Sequence, residues 1–538
     1  MNRPWLALTG LVAALAAVVG VGTVTGPATG SAGTGTSATA SATASASAGA
    51  GAGASAGSGA AAGSGAGTGA AQVPVVGGSA VCPSVRNGAG LQTQVSAGAV
   101  SSPAGATADP AAADGSITAA PLTGTGTPAL LPVQRPGQVA TGLVPDLEDD
   151  ALVLSARGPL AGALVAGQTT RGARGADRGL AALRCTAPQT DTWFAGGSLG
   201  VGEESVLVLV NPDDSPALVD VRIWSAQGGA DERPGRGLVV PARSRTALPL
   251  DELAPGQTRL AVHVGATRGR VAAALRHTRV DGRVPQGAEW VPPAPAPAPQ
   301  VVVPGLPAGT GRRSVLVTNP GVDPVVVQLQ VSTADGQFVP TGLDAVRVPA
   351  GETVSSDLTG PLARSAATVV VRSETGPVLA VGLAVEGRRG GPGEFSYAGA
   401  AVPLSGPALL PEASVAARRE DSLLLSAPEQ DAQVVVRPLR VLGSRTALGK
   451  ARTVRVVGGR TTELALADLL AEDATGALAV EVRSAEGSGP VYAARFVREQ
   501  TGDGPLITGT ALQSAAQAVT RPEVVADPGA VITPDGQG

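Results

Sequence analysis

The chain has 538 residues, 39 basic and 43 acidic side chains, 75 glycines, 44 prolines and only 2% aromatic residues. Near-balanced charge without a basic cluster excludes the electrostatic footprint of a nucleic-acid binder, which needs concentrated positive charge. Two cysteines and two histidines, widely spaced, give no zinc-ligand spacing, so neither a metal nor a cofactor is expected.

The N-terminus places Arg3 before an apolar run from Trp5 to Val24. A cleavable signal's apolar region is about 7–15 residues and a spanning helix needs about 17–25, so the run is long enough to span. Residues 1–25 therefore read as a signal-anchor or signal peptide. The site Ala38-Thr39-Ala40 leaves cleavage open. The expected location is a single-pass membrane protein with an extracytoplasmic C-terminal region, or a secreted protein if the segment is removed. Residues 26–78 are almost wholly Ala, Gly, Ser and Thr at first, too little apolar bulk to offset chain entropy, and read as a disordered tether. Outside the cytoplasm Cys82 and Cys185 are expected to form a disulfide. Lys450 is the only lysine, which with the Ala/Gly/Val bias points to a GC-rich genome.

An internal repeat follows. The segments SVLVLVNPDDSPALVDVRIW, SVLVTNPGVDPVVVQLQV and SLLLSAPEQDAQVVVRPLRV carry the dipeptides Asn211-Pro212, Asn319-Pro320 and Ala427-Pro428, each 108 residues from the next. Pro241, Pro349 and Val457 keep the same spacing in a second block. A worn copy precedes them, with Gly158, Gly269, Gly376 and Gly489 at one turn position, although its first half has lost the Asn-Pro turn. The organisation expected is a degenerate unit over 79–185, units over 186–291, 300–405 and 406–510, a Pro-rich linker at 292–299, and a flexible tail over 511–538.

Each unit reads as β. Leu260, Val262 and Val264 alternate with Arg259, Ala261 and His263, the period-two pattern of a half-buried strand. Val327, Leu329 and Val331 alternate with Gln328 and Gln330 in the same way. Arg437-Pro438 interrupts a strand pattern, and because proline cannot donate to a ladder an edge or bulge is expected there. The helix-like stretch is ELALADLLAED. About seven strands per unit, with turns every ~8–12 residues, predict an all-β fold of tandem immunoglobulin-like sandwiches. The joint PPAPAPAPQ reads as an extended polyproline spacer, across which few contacts are expected.

Candidate chemistry is sparse. Gly196-Gly197-Ser198-Leu199-Gly200 matches a nucleophile elbow, but a strand pattern follows where a helix is required. His263 falls on an outward parity and His277 near a sheet edge, neither with a partner at acid–base spacing. Asp213-Asp214 offers fewer oxygens than the ~6–8 calcium wants, and reads as a turn whose Asn211 caps its own backbone. No catalytic residue is expected. Trp193-Phe194 and Trp224 stand out in a chain so poor in aromatics. Trp224, on the outward parity with Asp220 and Arg222, is either a surface contact or packing against a neighbouring unit.

From Cys185 onward, CTAPQTDTWFAGG followed by VLVLVNPDDSPALVDVRIW resembles a family of actinobacterial secreted or membrane-anchored proteins of unknown function. Its members are often encoded beside a large cell-envelope glycosyltransferase. The resemblance implies tandem immunoglobulin-like repeats and transfers no catalytic residue; Ala427 departs from it where Asn would stand. The reading is a non-enzymatic extracytoplasmic scaffold at the cell envelope, with an envelope protein or glycan as partner, possible involvement in polysaccharide assembly, and membrane contact through the N-terminal helix. The alternatives are a glycan-binding module using Trp224 and a secreted hydrolase.

Overall fold

The structure, a computed structural model, describes residues 71–83, 90–101, 115–124, 130–143, 146–147, 149–231, 233–387, 390–416, 418–469, 477–516 and 518–521. The apolar segment 1–25 and the tether up to residue 70 lie outside them. Among the described residues no helix is long and apolar enough to cross a membrane.

Nearly all regular structure is antiparallel sheet, and the repeat seen in sequence is a repeat of topology. In the unit of residues 300–399, the first strand, Gln300–Leu306, pairs with Ala367–Ser373, and that strand pairs with Val325–Ser332. The second sheet runs Thr353–Asp357, Arg312–Thr318, Leu379–Gly387, Gly393–Gly399. The same order recurs over residues 77–184, 191–294 and 408–511, giving four units, I to IV in chain order, with unit III just described. Unit I is thus a full copy: Leu91–Ala99 and Ser116–Pro121 supply the strands of its first half without an Asn-Pro turn. The two sheets of each unit enclose a core, as Val303, Val317, Leu329, Val371 and Ala380 do in unit III. These are sandwiches, but not in immunoglobulin order. There the first strand shares a sheet with the second; here Gln300–Leu306 pairs with Ala367–Ser373, while Arg312–Thr318 lies in the opposite sheet.

The strands following each unit's first turn are continuous apolar runs, and alternate residues of one run enter different cores. Val315 and Val317 lie in the core of unit III, whereas Leu316 joins the cluster of unit II. Leu423 and Leu425 lie in unit IV, whereas Leu424 packs with Ala366 and Ala384 of unit III. Leu207 and Leu209 lie in unit II, whereas Val208 and Val210 meet Val81, Ala181 and Leu183 of unit I. The circle closes where Leu409, Leu439 and Val441 of unit IV pack on Val139 and Val165 of unit I. At the centre the last strands of the units, Gly179–Arg184, Val284–Val291, Gly393–Gly399 and Gly504–Ala511, touch one another in turn around the ring. A sheet buried on both faces needs unbroken apolar sequence, which is what these runs supply.

Several expectations are corrected. The described residues, from 71 to 521, form one compact unit, and apolar clusters cross every joint between repeats. The Pro-rich stretch 292–299 is not a free spacer: Pro293–Ala294 pairs with Phe194 and Trp193, and Ala298 exchanges two backbone hydrogen bonds with Val378 (3.1 and 2.9 Å). The start of the tail is ordered too. Leu512 is buried, and the Ser514 hydroxyl accepts from the Ser405 and Gly406 amides (3.1 and 3.0 Å). Ala518–Arg521 then pairs with Ala71–Pro74 at the end of the expected tether. Pro438 sits in neither an edge strand nor a bulge. Its strand, Ala432–Leu442, is interior, and Pro438 falls where one flank changes partner, from Arg452–Val456 to Arg445–Leu448, so the missing donor costs no ladder bond. Only Leu466–Leu469 of the helix-like stretch is described as helix.

Cys82 ends the first strand of unit I and Cys185 follows its last. They are joined, with a Cα–Cα distance of 4.6 Å across a separation of 103 residues. Closing a loop of that length is worth about 4–5 kcal/mol on chain-entropy grounds.

Candidate functional site

Ser198 lies in the loop between Asp191–Ala195 and Glu203–Asn211, with no helix after it. Its hydroxyl donates to Glu203, which also holds Arg279 (2.9 Å), so the serine faces a carboxylate rather than a histidine base. Asp213 is taken by Arg270 (2.9 Å), whose hydrogen bond keeps the carboxyl below its ordinary range. Asp214 lies 3.5 Å from Arg243. Asn211 acts as the turn cap expected of it. Its Oδ1 accepts from the Asp213 amide (3.0 Å), and its Nδ2 donates to the carbonyls of Ser215, Val240 and Pro241 (2.8, 3.1 and 3.1 Å). Among the described residues no group of three or more His, Cys, Asp or Glu could hold a metal ion.

The two histidines part company. His263 is opposite Trp193 in register on the outer face of its sheet, stacked on it at 4.1 Å between centroids, with Nε2 2.8 Å from Asp191. Trp224 extends the stack from Trp193 at 5.4 Å, so three rings cover this face. The face is only half open. Both Trp193 and Trp224 are partly buried against the apolar cluster of unit II, and a Cβ at Gly351 of unit III would approach Trp224 to 3.9 Å. Trp224 thus lies on the outer face of its own sheet, next to the Gly351 turn of unit III.

His277 is fully buried beneath unit III. Its Nδ1 lies 2.8 Å from the Tyr397 hydroxyl, which also accepts from the Gly197 amide (2.9 Å). Burial, and next the charge of Arg279, lower its pKa to about 3, and burial pushes the Tyr397 phenol up. Close by, the central strands bury two carboxyls, Glu289 and Glu394, each with an Oε2 lacking a partner. Glu289 Oε1 accepts from the amides of Trp290 (2.8 Å) and Ala182 (3.2 Å). Arg178 reaches across the ring to the carbonyls of Gly393 (3.1 Å) and Asp503 (3.2 Å). Sequence spacing could not reveal this cluster, because its members come from different repeats.

His277 with Tyr397, and Arg178 with the carbonyls of Gly393 and Asp503, join one unit to another, whereas the contacts of Ser198, Asp213, Asn211 and His263 stay within unit II. A search of curated proteins finds no match. The family model described as a family of unknown function, DUF5719, matches residues 139–447, more than half of the chain, and the chain belongs to that family.

Proposed function

We propose that this DUF5719 member is a non-enzymatic extracytoplasmic interaction platform at the cell envelope. The observation that carries this reading is the commitment of each reactive-looking side chain to a structural contact: Ser198 to Glu203, Asp213 to Arg270, His277 to Tyr397. The apolar run at Trp5–Val24 and the small-residue tether support display away from a membrane. The resemblance noted above supports an exported actinobacterial protein. In-cell photo-crosslinking of the tagged full chain tests this. Reproducible adducts with envelope membrane proteins are expected, and a purified protein that hydrolyses ester or glycosidic substrates in a Ser198-dependent manner would overturn it.

The stacked face of Trp193, His263 and Trp224 favours a second reading, a glycan contact, since aromatic faces offer apolar area to sugar rings. Retention of the protein on cell-wall glycan, lost in Trp193→Ala, would favour this reading over the first.

A further inference from the structure

Where the central strands end on one side of the ring, the four units line an open cavity of about 340 Å³. Unit I contributes Arg184, the Pro-rich joint Pro292 and Pro295, the segment after unit III Val402 and Ser405, and the chain after unit IV Gln513 and Ser514. Arg184 is the only charged residue in this lining. It immediately precedes Cys185, so the disulfide fixes its backbone. One guanidinium nitrogen donates to the Gln513 carbonyl (3.1 Å), and among the described residues no carboxylate pairs with it. Its remaining guanidinium nitrogens are not sealed in protein, and Arg184 forms part of the wall between this cleft and a smaller one lined by Leu409, Pro411 and Leu512. Arg495, Arg498, Arg483, Arg279 and Arg270 each have an acidic partner, whereas Arg184, like Arg178 and Arg313, bonds to backbone carbonyls.

We propose that this cavity is a binding site for an oxyanion group, carboxylate or phosphate, with Arg184 as the charge that receives it. A guanidinium presents planar donors matched to such groups, and a charge-assisted hydrogen bond is at its strongest where little water competes. The surrounding amides and hydroxyls, including Gln189, Ser405 and Thr510, suit the polar remainder of a small ligand, and the prolines give a rigid wall. Desolvation of the guanidinium, which lowers its pKa to about 10, is a cost that an entering anion relieves. The site does not depend on whether the molecule is an envelope platform.

Titration calorimetry of the full chain with glucuronate, inorganic phosphate and glucose tests it. Saturable binding of glucuronate, phosphate or both is expected, with none for glucose; glucuronate alone identifies a sugar acid as the source and phosphate alone a phosphate. Arg184→Gln should weaken binding about tenfold or more, the scale of one charge-assisted hydrogen bond. Val402→Trp provides a second check that does not touch the core, since Val402 is 51% exposed at the cavity, and its larger ring should also reduce binding. Absence of saturable anion binding in the unaltered chain overturns the proposal. So does anion binding that Val402→Trp and a folded Arg184→Gln both leave unchanged.

Discussion

Glu289 and Glu394 sit on neighbouring central strands, and burial raises both carboxyls well above the ordinary value of 4.5, with the proximity of Glu289 adding to the effect on Glu394. In the folded protein they hold protons that the unfolded chain releases above that value. Their contribution to stability is therefore complete below about pH 4.5 and is lost as the pH rises toward their folded pKa values. His277 acts in the opposite sense: its folded pKa of about 3 lies below the ordinary value of 6.5, so its contribution is present above about pH 6.5 and is lost as the pH falls toward 3. Between those limits two glutamates outweigh one histidine. The urea midpoint is expected to be higher near pH 5 than near pH 8. Glu289→Gln with Glu394→Gln should raise the midpoint at pH 8, leave it nearly unchanged at pH 4, and flatten the alkaline limb; an unaltered limb would count against buried protonated carboxyls. At this scale the sequence exposed little. His277 and its Tyr397 partner are 120 residues apart, in different repeats, and no local pattern marks them as neighbours.

The Asn-Pro turn shows how a single side chain sets the geometry of an element. Asn319 repeats the bonding of Asn211, with Oδ1 accepting from the Gly321 amide (2.9 Å) and Nδ2 donating to the carbonyls of Asp323, Val348 and Pro349 (2.7, 3.3 and 3.2 Å). It thereby ties the end of one strand to the approach of another in the opposite sheet. Replacing either residue by Ala orphans buried backbone groups, so Asn211→Ala and Asn319→Ala should each cost about 2–4 kcal/mol in chemical denaturation. Unit IV has already made this change at Ala427. There the joint is rebuilt from Asp431, which accepts from the Gly458 amide (2.8 Å), and from the Gly459 amide donating to the Ala427 carbonyl (2.8 Å). The turn was legible because its residues are adjacent and recur at a fixed spacing. The two-faced burial of the strands before it was also written in the sequence, as VLVLV, VLV and LLL. Reading those runs as half-buried strands of separate sandwiches missed it, because alternation elsewhere in each unit is real: Gln328 is exposed between buried Val327 and Leu329.

For the whole molecule, the period of the sequence and the unit of folding are different things. Each repeat closes its own two sheets but leaves an apolar outer face that only its neighbour covers. Unit III alone would expose Leu316, Val381, Phe395 and Tyr397, all buried against unit II in the ring, together with Ala366 and Ala384 on the side of unit IV. A large contiguous apolar surface of that kind drives association. Fragments 186–291 and 300–405 are therefore expected to aggregate or to melt without cooperativity, whereas residues 71–521 should unfold in a single calorimetric transition. Closure adds a second requirement. Ala71–Pro74 pairs with Ala518–Arg521, and unit IV packs on unit I, so the ends of the folded region hold the first and last repeats together. Leu424→Asp separates the two possibilities. Leu424 does not belong to its own unit's core cluster, so autonomous sandwiches would tolerate the charge. In a ring it places an unpaired carboxylate between units III and IV, and the whole chain should lose about 3 kcal/mol or more. A wild-type melting profile for Leu424→Asp, or cooperative and monomeric behaviour of both fragments, would show that the repeats fold independently.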